Sequence, residues 1–141
     1  MGSEVSADTG GFRVGGDRTD DEVLALVERV VLGWPGVWKK RDEDGPGGVG
    51  VTGYRLGRKQ IGHVHDDGHA DFRFPRETRD DLIRTGRAIA HPAFPDSRTT
   101  ASYGLRSAED VPGAVELFRM SYERILAAAR SEARARPAPP S

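Results

Sequence analysis

Three short strand-like segments follow one another along the chain, at residues 49–56, 59–65 and 70–74. Only Gly57-Arg58 separates the first two, and the turn before the third contains Asp67-Gly68, a dipeptide typical of hairpins. In the third segment, Phe72 points to one face of the strand and Asp71 to the other. Because connections this short join antiparallel neighbours, the sequence predicts an antiparallel sheet with one apolar and one polar face.

Three segments with helical spacing accompany these strands. The first begins at a capping box in which Thr19 is the predicted N-cap and Glu22 its partner, and it ends at Gly33. The second begins at Pro75 and ends before Gly86. The third has the most regular spacing in the chain, with apolar positions at Val111, Ala114, Val115, Phe118, Tyr122, Ile125, Leu126 and Ala129. Each helix therefore has an apolar face that must pack against the sheet.

The order of these elements defines the predicted fold. An alternating segment at residues 99–106 adds a fourth strand between the second and third helices. We therefore predict a single α+β domain at residues 19–130, in which one antiparallel sheet of about four strands has three helices packed on one face. The Gly-rich residues 1–18 and the Pro-rich residues 131–141 are predicted to be disordered tails, and the charged residues 39–48 an exposed loop.

The composition excludes several classes of function. The chain of 141 residues has a net charge of −1, so no strong field attracts it to nucleic acid or to an anionic membrane. Because the chain has no cysteine, disulfides, zinc–thiolate sites and thiol nucleophiles are excluded. No apolar run approaches the roughly 18 residues that cross a bilayer, and the N-terminus has no signal-peptide core. These features predict a cytoplasmic protein, and we expect a monomer.

The stretch from residue 62 to residue 75 is the candidate site, because it contains most of the chain's histidines. His63 and His65 are two residues apart on a predicted strand and therefore point to the same face. With His69 or Asp71 from the paired strand, they could provide three ligands for zinc, iron or manganese. Ile61 has the same parity, so we expect this face to be partly packed. The alternative is that the histidines only form hydrogen bonds across the hairpin.

These residues support three classes of function. The first, which we favour, is a binding module that engages a small molecule or a protein partner through the sheet face that bears His63 and His65. The predicted ligand-binding residues are His63, His65, Asp71, Arg73, His91 and Asp96. Arginines such as Arg73 and Arg55 could pair with an anionic ligand. No motif identifies a cofactor or a catalytic residue.

The other two classes are a metal-dependent enzyme and a DNA-binding domain. The enzyme would use His63, His65 and His69 as its metal ligands, with Asp71 as the alternative third ligand. DNA binding is suggested by the basic bias at the C-terminal end of the chain, but acidic residues dilute that bias and the low net charge disfavours it.

The chain also contains a series of short motifs in a recognisable order. They are Trp34-Pro35-Gly36-Val37, Tyr54-Arg55-Leu56-Gly57, Ile61-Gly62-His63-Val64-His65, Ala70-Asp71 with Phe74-Pro75, Pro95-Asp96-Ser97, and Arg106-Ser107 through Glu109-Asp110-Val111-Pro112 to Ser121-Tyr122. With these motifs, roughly residues 20–126 resemble the luciferase-domain family, the small luciferase family proteins common in actinobacteria. The resemblance implies no established reaction, cofactor or catalytic residue, and a role in specialised metabolism is an expectation only. The element order is also similar to that of MmcQ/YjbR-type domains, which implies a frataxin-like sandwich and, for some of those domains, a proposed role in DNA binding.

Overall fold

The computed structural model describes residues 19–137, so the predicted N-terminal tail and residues 138–141 lie outside the described residues. Within this range the helices are α1 (Asp21–Leu32), α2 (Arg76–Arg84) and α3 (Val111–Ala135), and the strands are β1 (Val37–Asp42), β2 (Val51–Leu56), β3 (Lys59–His65), β4 (His69–Arg73) and β5 (Thr100–Gly104). Helix α3 continues past the domain end predicted at residue 130. No helix within residues 19–137 is long and apolar enough to cross a membrane.

The strands form one antiparallel sheet in the order β1-β2-β3-β4-β5, so each strand pairs with its neighbours in sequence. The predicted α+β class and the antiparallel sheet are confirmed, but the sheet has five strands rather than four. This order puts β4 between β3 and β5. The polar faces of these three strands are therefore continuous, and they carry most of the candidate site.

The additional strand is β1, and the predicted loop at residues 39–48 is wrong for residues 39–42, which belong to this strand. Val37 pairs with Leu56 at one end of the β1–β2 ladder, and Asp42 pairs with Val51 at the other. Every residue of β1 after Val37 is exposed, because this strand lies at the edge of the sheet. Residues 38–42 consequently lack the apolar alternation by which a half-buried strand is recognised in a sequence.

Helices α1 and α3 pack against each other, and α3 also packs against β3 and β4. The predicted apolar stripe of α3 is confirmed at its centre, where Phe118, Tyr122 and Ile125 are buried. The ring of Phe118 meets that of Phe72 on β4 edge-on, with 4.7 Å between the ring centroids. Leu82 of α2 belongs to the same core. Because burial of each large apolar side chain contributes about 1.5–3 kcal/mol, this core holds the helices on the sheet.

The start of α1 differs from the predicted capping box. The N-cap is Asp20 rather than Thr19, because Oδ1 of Asp20 accepts a hydrogen bond of 2.9 Å from the backbone N–H of Glu22. Thr19 is buried, and its hydroxyl donates to the carbonyl oxygen of Leu105 at 2.8 Å. Thr19 therefore attaches the start of α1 to the segment that follows β5.

A bulge in β3 changes which side chains face the helices. Ile61 falls between two pairs of the β2–β3 register, at the point where that register shifts. It is fully buried in the core, and the hydroxyl of Ser121 on α3 donates to its carbonyl oxygen at 2.7 Å. The expectation that Ile61 shares the histidine face is therefore wrong. Gln60 lies on that face instead, with its side-chain amide 3.0 Å from Nδ1 of His63.

The backbone next to this bulge approaches the core closely. A Cβ built at Gly62 would lie 2.7 Å from Cδ1 of Phe72 and 3.0 Å from Cε1 of Phe118. Because both rings are fully packed, only glycine fits between β3 and the aromatic core at this position.

Candidate functional site

One carboxylate, that of Asp71 on β4, is the centre of the candidate site, and it lies between β3 and β5 with only 7% of the residue exposed. Nε2 of His63 is 2.9 Å from Oδ2 of Asp71, and Nε2 of His69 is 2.7 Å from Oδ1. The Nε2 atoms of His65 and His91 are 3.9 Å and 3.6 Å from Oδ2. The sequence has four histidines, so each of them directs a ring nitrogen at this carboxylate. We call these five residues the His–Asp cluster.

Neighbouring strands and one loop bring the cluster together. His63 is directly opposite Asp71 in the β3–β4 ladder, and the histidines two residues away on each strand share that face. Ser102 of β5 is opposite Asp71 on the other side, and its hydroxyl donates to Oδ1 at 2.6 Å. His91 comes from the segment between α2 and β5. An antiparallel bridge between Ile89 and Ser102 holds that segment alongside β5.

The histidines favour the ionised form of Asp71. Burial alone would raise the pKa of the Asp71 carboxyl group. Hydrogen bonds from His63, His69 and Ser102, together with the nearby imidazole of His65, act in the opposite direction and hold this pKa well below its ordinary value. Asp71 therefore carries a negative charge throughout the neutral pH range. A cation at this position would meet a charged ligand that is already held in place by its neighbours.

The backbone fixes the tautomer of His91. Its Nδ1 accepts hydrogen bonds from the backbone N–H groups of Ala93, at 3.0 Å, and Phe94, at 3.2 Å. In the neutral ring the proton is consequently on Nε2, the nitrogen that faces Asp71. Burial, followed by the charges of the other three histidines, lowers the pKa of His91, although Asp71 acts in the opposite direction. His91 is therefore a neutral N–H donor within the cluster.

Two groups within the cluster have the atoms and spacing of a metal site. In the first, ligand atoms of His63, His65 and Asp71 lie within 4.8 Å of one another, and in the second those of His69, Asp71 and His91 do. Two imidazoles and one carboxylate form the ligand set of many non-haem iron sites. The second group is less suited to a metal, because two backbone N–H groups keep the ring proton of His91 on Nε2. The Gln60 side-chain amide that contacts Nδ1 of His63 can instead rotate to accept a hydrogen bond there, which leaves Nε2 of His63 free of its proton. The first group is therefore the better candidate.

Polar neighbours also support the first group. Ser102 orients the carboxylate of Asp71 through Oδ1, which leaves Oδ2 facing His63 and His65. The side-chain amide of Gln60 contacts the Nδ1 atom of His63, the ring nitrogen that faces away from Asp71. Hydrogen bonds to the atoms of a ligand that do not face the metal set the orientation and the basicity of metal-binding side chains. The ligand set predicted from the sequence, His63, His65 and His69, surrounds Asp71 but is divided between the two groups.

A cavity of about 960 Å³ lies beside the cluster, where β3 and β4 separate. The β3–β4 ladder consists of the pairs His63–Asp71 and Val64–Ala70. The part of β3 before His63 pairs only with β2, and the part of β4 after Asp71 pairs only with β5. His63, Asp71 and His91 line one end of the cavity, while α3 and Phe94 form its walls. The volume is in the range of cavities that enclose small organic molecules.

The structure unites most of the residues predicted from the sequence. The cluster contains His63, His65, His69, Asp71 and His91, and Arg73 lines the adjacent cavity. Asp96 is exposed on its loop and is not among the described residues that line the cavity. Sequence reasoning missed Ser102, Gln60 and Phe94. A hydroxyl on the polar face of the fourth predicted strand was a signal for Ser102, whereas Gln60 reaches its place only through the bulge.

Comparison with known proteins gives a match to one family model. Residues 58–121 match the sequence model of the Luciferase domain, which confirms the resemblance over this segment. The matched segment begins at the turn before β3 and ends in α3, so it includes the whole His–Asp cluster together with Ser102. No curated protein and no solved structure matches the chain. The similarity to MmcQ/YjbR-type domains remains a prediction.

Proposed function

We propose that the protein binds a divalent transition-metal ion through His63, His65 and Asp71 and uses this ion to bind and activate a small organic molecule in the adjacent cavity. One observation carries this proposal: every histidine of the chain directs a ring nitrogen at one buried, ionised carboxylate at the end of a cavity. A sheet needs no such convergence for its stability, since one partner would satisfy the carboxylate.

The ligand chemistry indicates which ions would bind. Imidazole nitrogens with one carboxylate suit zinc, iron(II), manganese(II) and cobalt(II), and the chain has no thiolate that would favour softer ions. Three protein ligands leave open coordination positions for water or for a bound molecule. An ion in such a position acts as a Lewis acid on a carbonyl or hydroxyl group. The Nε2–H of His91 would then be available as a hydrogen-bond donor to the same molecule.

Direct metal binding tests the proposal. Protein freed of metal with a chelator is titrated with Zn²⁺ and Co²⁺ in a calorimeter, and the Co²⁺ complex is also followed by visible absorption. We expect one tightly bound ion per chain. His65→Gln should lower its affinity by about 100-fold because it removes a ligand, whereas His91→Gln should leave it nearly unchanged.

The matched pair of histidine variants makes the result specific. Both variants remove one imidazole from the same cluster, but only His65 belongs to the proposed ligand group. If the wild-type protein binds no metal at micromolar concentration, the proposed function is wrong. If both variants lose metal equally, the ion is held by the whole cluster rather than by His63, His65 and Asp71.

A second candidate function is a binding module without a metal. It is favoured by the distances of 2.9 Å and 2.7 Å from Asp71 to His63 and His69, which are those of ordinary hydrogen bonds. In that case the cluster is a hydrogen-bonded network that fixes the end of the cavity. Failure of metal binding in the calorimeter, with a ligand still bound in the cavity, would support this candidate.

A further inference from the structure

The charges that line the cavity are mostly positive. Arginine and lysine side chains contribute from β3, β4, α3 and the turn before β3, and the cationic residues are Arg58, Lys59, Arg73 and Arg124. Two carboxylates also line it, those of Asp71 and Glu132. Four cationic side chains thus face two carboxylates, which leaves an excess of two positive charges in the lining. A ligand that enters this cavity therefore meets a positive surface around its path to the cluster.

Arg73 is the cation best placed to contact a bound molecule. It follows Asp71 by two residues on β4, so its side chain leaves the same face of the strand. Arg73 is exposed, and among the described residues no carboxylate lies within ion-pair distance of it. The guanidinium group of Arg124 on α3 reaches the same place, where it donates to the backbone carbonyl of Arg73 at 3.3 Å.

The remaining surface of the cavity is apolar. Ile125, Leu126 and Ala129 on α3 form one side, and Leu56 at the end of β2 forms another. Phe94 is a large hydrophobic residue with 67% of its surface exposed, and its ring centroid is 5.1 Å from that of His91. An aromatic side chain held at the rim of a cavity is typical of a site that encloses a planar or apolar molecule.

We infer that the cavity binds an organic carboxylate with an aromatic or otherwise apolar body, whose carboxylate pairs with Arg73 while its body lies between α3 and Phe94. The planar guanidinium group matches a carboxylate through two parallel hydrogen bonds, which a lysine cannot provide. Because Arg73 and Asp71 are neighbours on one face of β4, this orientation brings the bound molecule next to the His–Asp cluster. The inference deepens the proposed function by naming the class of molecule that the site would receive.

A matched pair of probes tests the charge requirement. 2-Naphthoate and its neutral counterpart 2-naphthamide are titrated into the isotopically labelled full-length chain and followed by two-dimensional NMR, first with a chelator and then with Zn²⁺. We expect 2-naphthoate to bind about tenfold more tightly than 2-naphthamide, since only the former forms an ion pair. The shifted resonances should include those of Arg73, Phe94 and Ile125.

A matched pair of variants assigns the effect to one arginine. Arg73→Gln should weaken 2-naphthoate about tenfold and leave 2-naphthamide unchanged. Arg76→Gln, which alters an exposed arginine that does not line the cavity, should change neither affinity. Equal affinities of the two probes, equal effects of the two variants, or no binding of either probe at millimolar concentration would overturn the inference.

The titrations with the chelator and with Zn²⁺ distinguish a failure of this inference from a failure of the proposed function. Binding of 2-naphthoate in the presence of the chelator, without any bound metal, would support the inference even if the metal site is wrong. Conversely, a protein that binds Zn²⁺ but shows no preference for the carboxylate would retain the proposed metal site and lose the inferred ligand class.

Discussion

At the scale of single residues, His91 differs from the other histidines because the backbone determines which of its nitrogens is protonated. The amides of Ala93 and Phe94 occupy Nδ1, and Nε2–H faces Asp71. The loop thus presents a donor of fixed direction to the cluster. In a metal-bound protein, this N–H would remain a hydrogen-bond donor beside Asp71, one of the proposed ligands.

The protonation of His91 can be measured in the metal-free protein. We expect its pKa to lie below 6.5, because burial and the nearby histidines disfavour the imidazolium form. The folded state then binds fewer protons than the unfolded chain, so this contribution to stability is present above about pH 6.5 and is lost as the pH falls through the pKa of the folded state. NMR titration of the imidazole C–H resonances provides the pKa, and a midpoint at or above 6.5 would contradict the expectation.

At the scale of elements, a hydrogen bond connects α3 to the bulge of β3, and both elements line the cavity. The bulge leaves the carbonyl of Ile61 without a ladder partner opposite it, and the buried hydroxyl of Ser121 on α3 satisfies that carbonyl at 2.7 Å. This single hydrogen bond connects the helix that walls the cavity to the strand that carries His63. It therefore couples the packing of α3 to the position of the cluster.

Removal of this hydroxyl should destabilise the fold. We expect Ser121→Ala to lower the free energy of unfolding by about 1–3 kcal/mol, because a buried carbonyl then loses its donor. Ser131→Ala on the exposed face of the same helix is the control, and it should change stability by less than about 0.5 kcal/mol. Urea denaturation measures both variants. Equal effects would show that the contact between Ser121 and the bulge contributes nothing to stability.

Most elements could be predicted because local chemistry specifies them. The Asp67-Gly68 turn and the apolar stripe of α3 are both encoded within a few neighbouring residues. The edge strand β1 and the displaced Ile61 could not be predicted in the same way. The first lacks a buried face, and the second depends on a register shift, which is a property of two strands rather than of one.

At the scale of the whole molecule, the candidate site is assembled by strand order. His63, His65 and Asp71 could be recognised from the sequence because they lie on one predicted hairpin. The inclusion of Ser102 and His91 requires β5 to lie next to β4 and the bridge at Ile89, and neither is encoded locally. The cavity has the same origin, since it exists only where β3 and β4 separate.

DNA binding stays a prediction that titration with duplex DNA at low salt would test.

Metal binding should also be visible in the stability of the whole domain. An ion that binds only the folded state stabilises it by about 2.7 kcal/mol when its free concentration is 100 times Kd. We therefore expect Zn²⁺ to raise the unfolding temperature of the wild-type protein relative to that in chelator. Asp71→Asn should abolish this rise, because the amide keeps the shape of the side chain but removes the negative charge that binds the ion.

Asp96, on the loop that follows His91, provides the control for this measurement. Asp96 is exposed and lies outside the described lining of the cavity, so Asp96→Asn should keep the full rise with Zn²⁺. In chelator, Asp71→Asn should unfold at a lower temperature than Asp96→Asn, since only Asp71 accepts hydrogen bonds from the cluster and from Ser102. Thermal unfolding by circular dichroism provides both comparisons. A rise with Zn²⁺ that survives in Asp71→Asn would place the bound ion somewhere other than the His–Asp cluster.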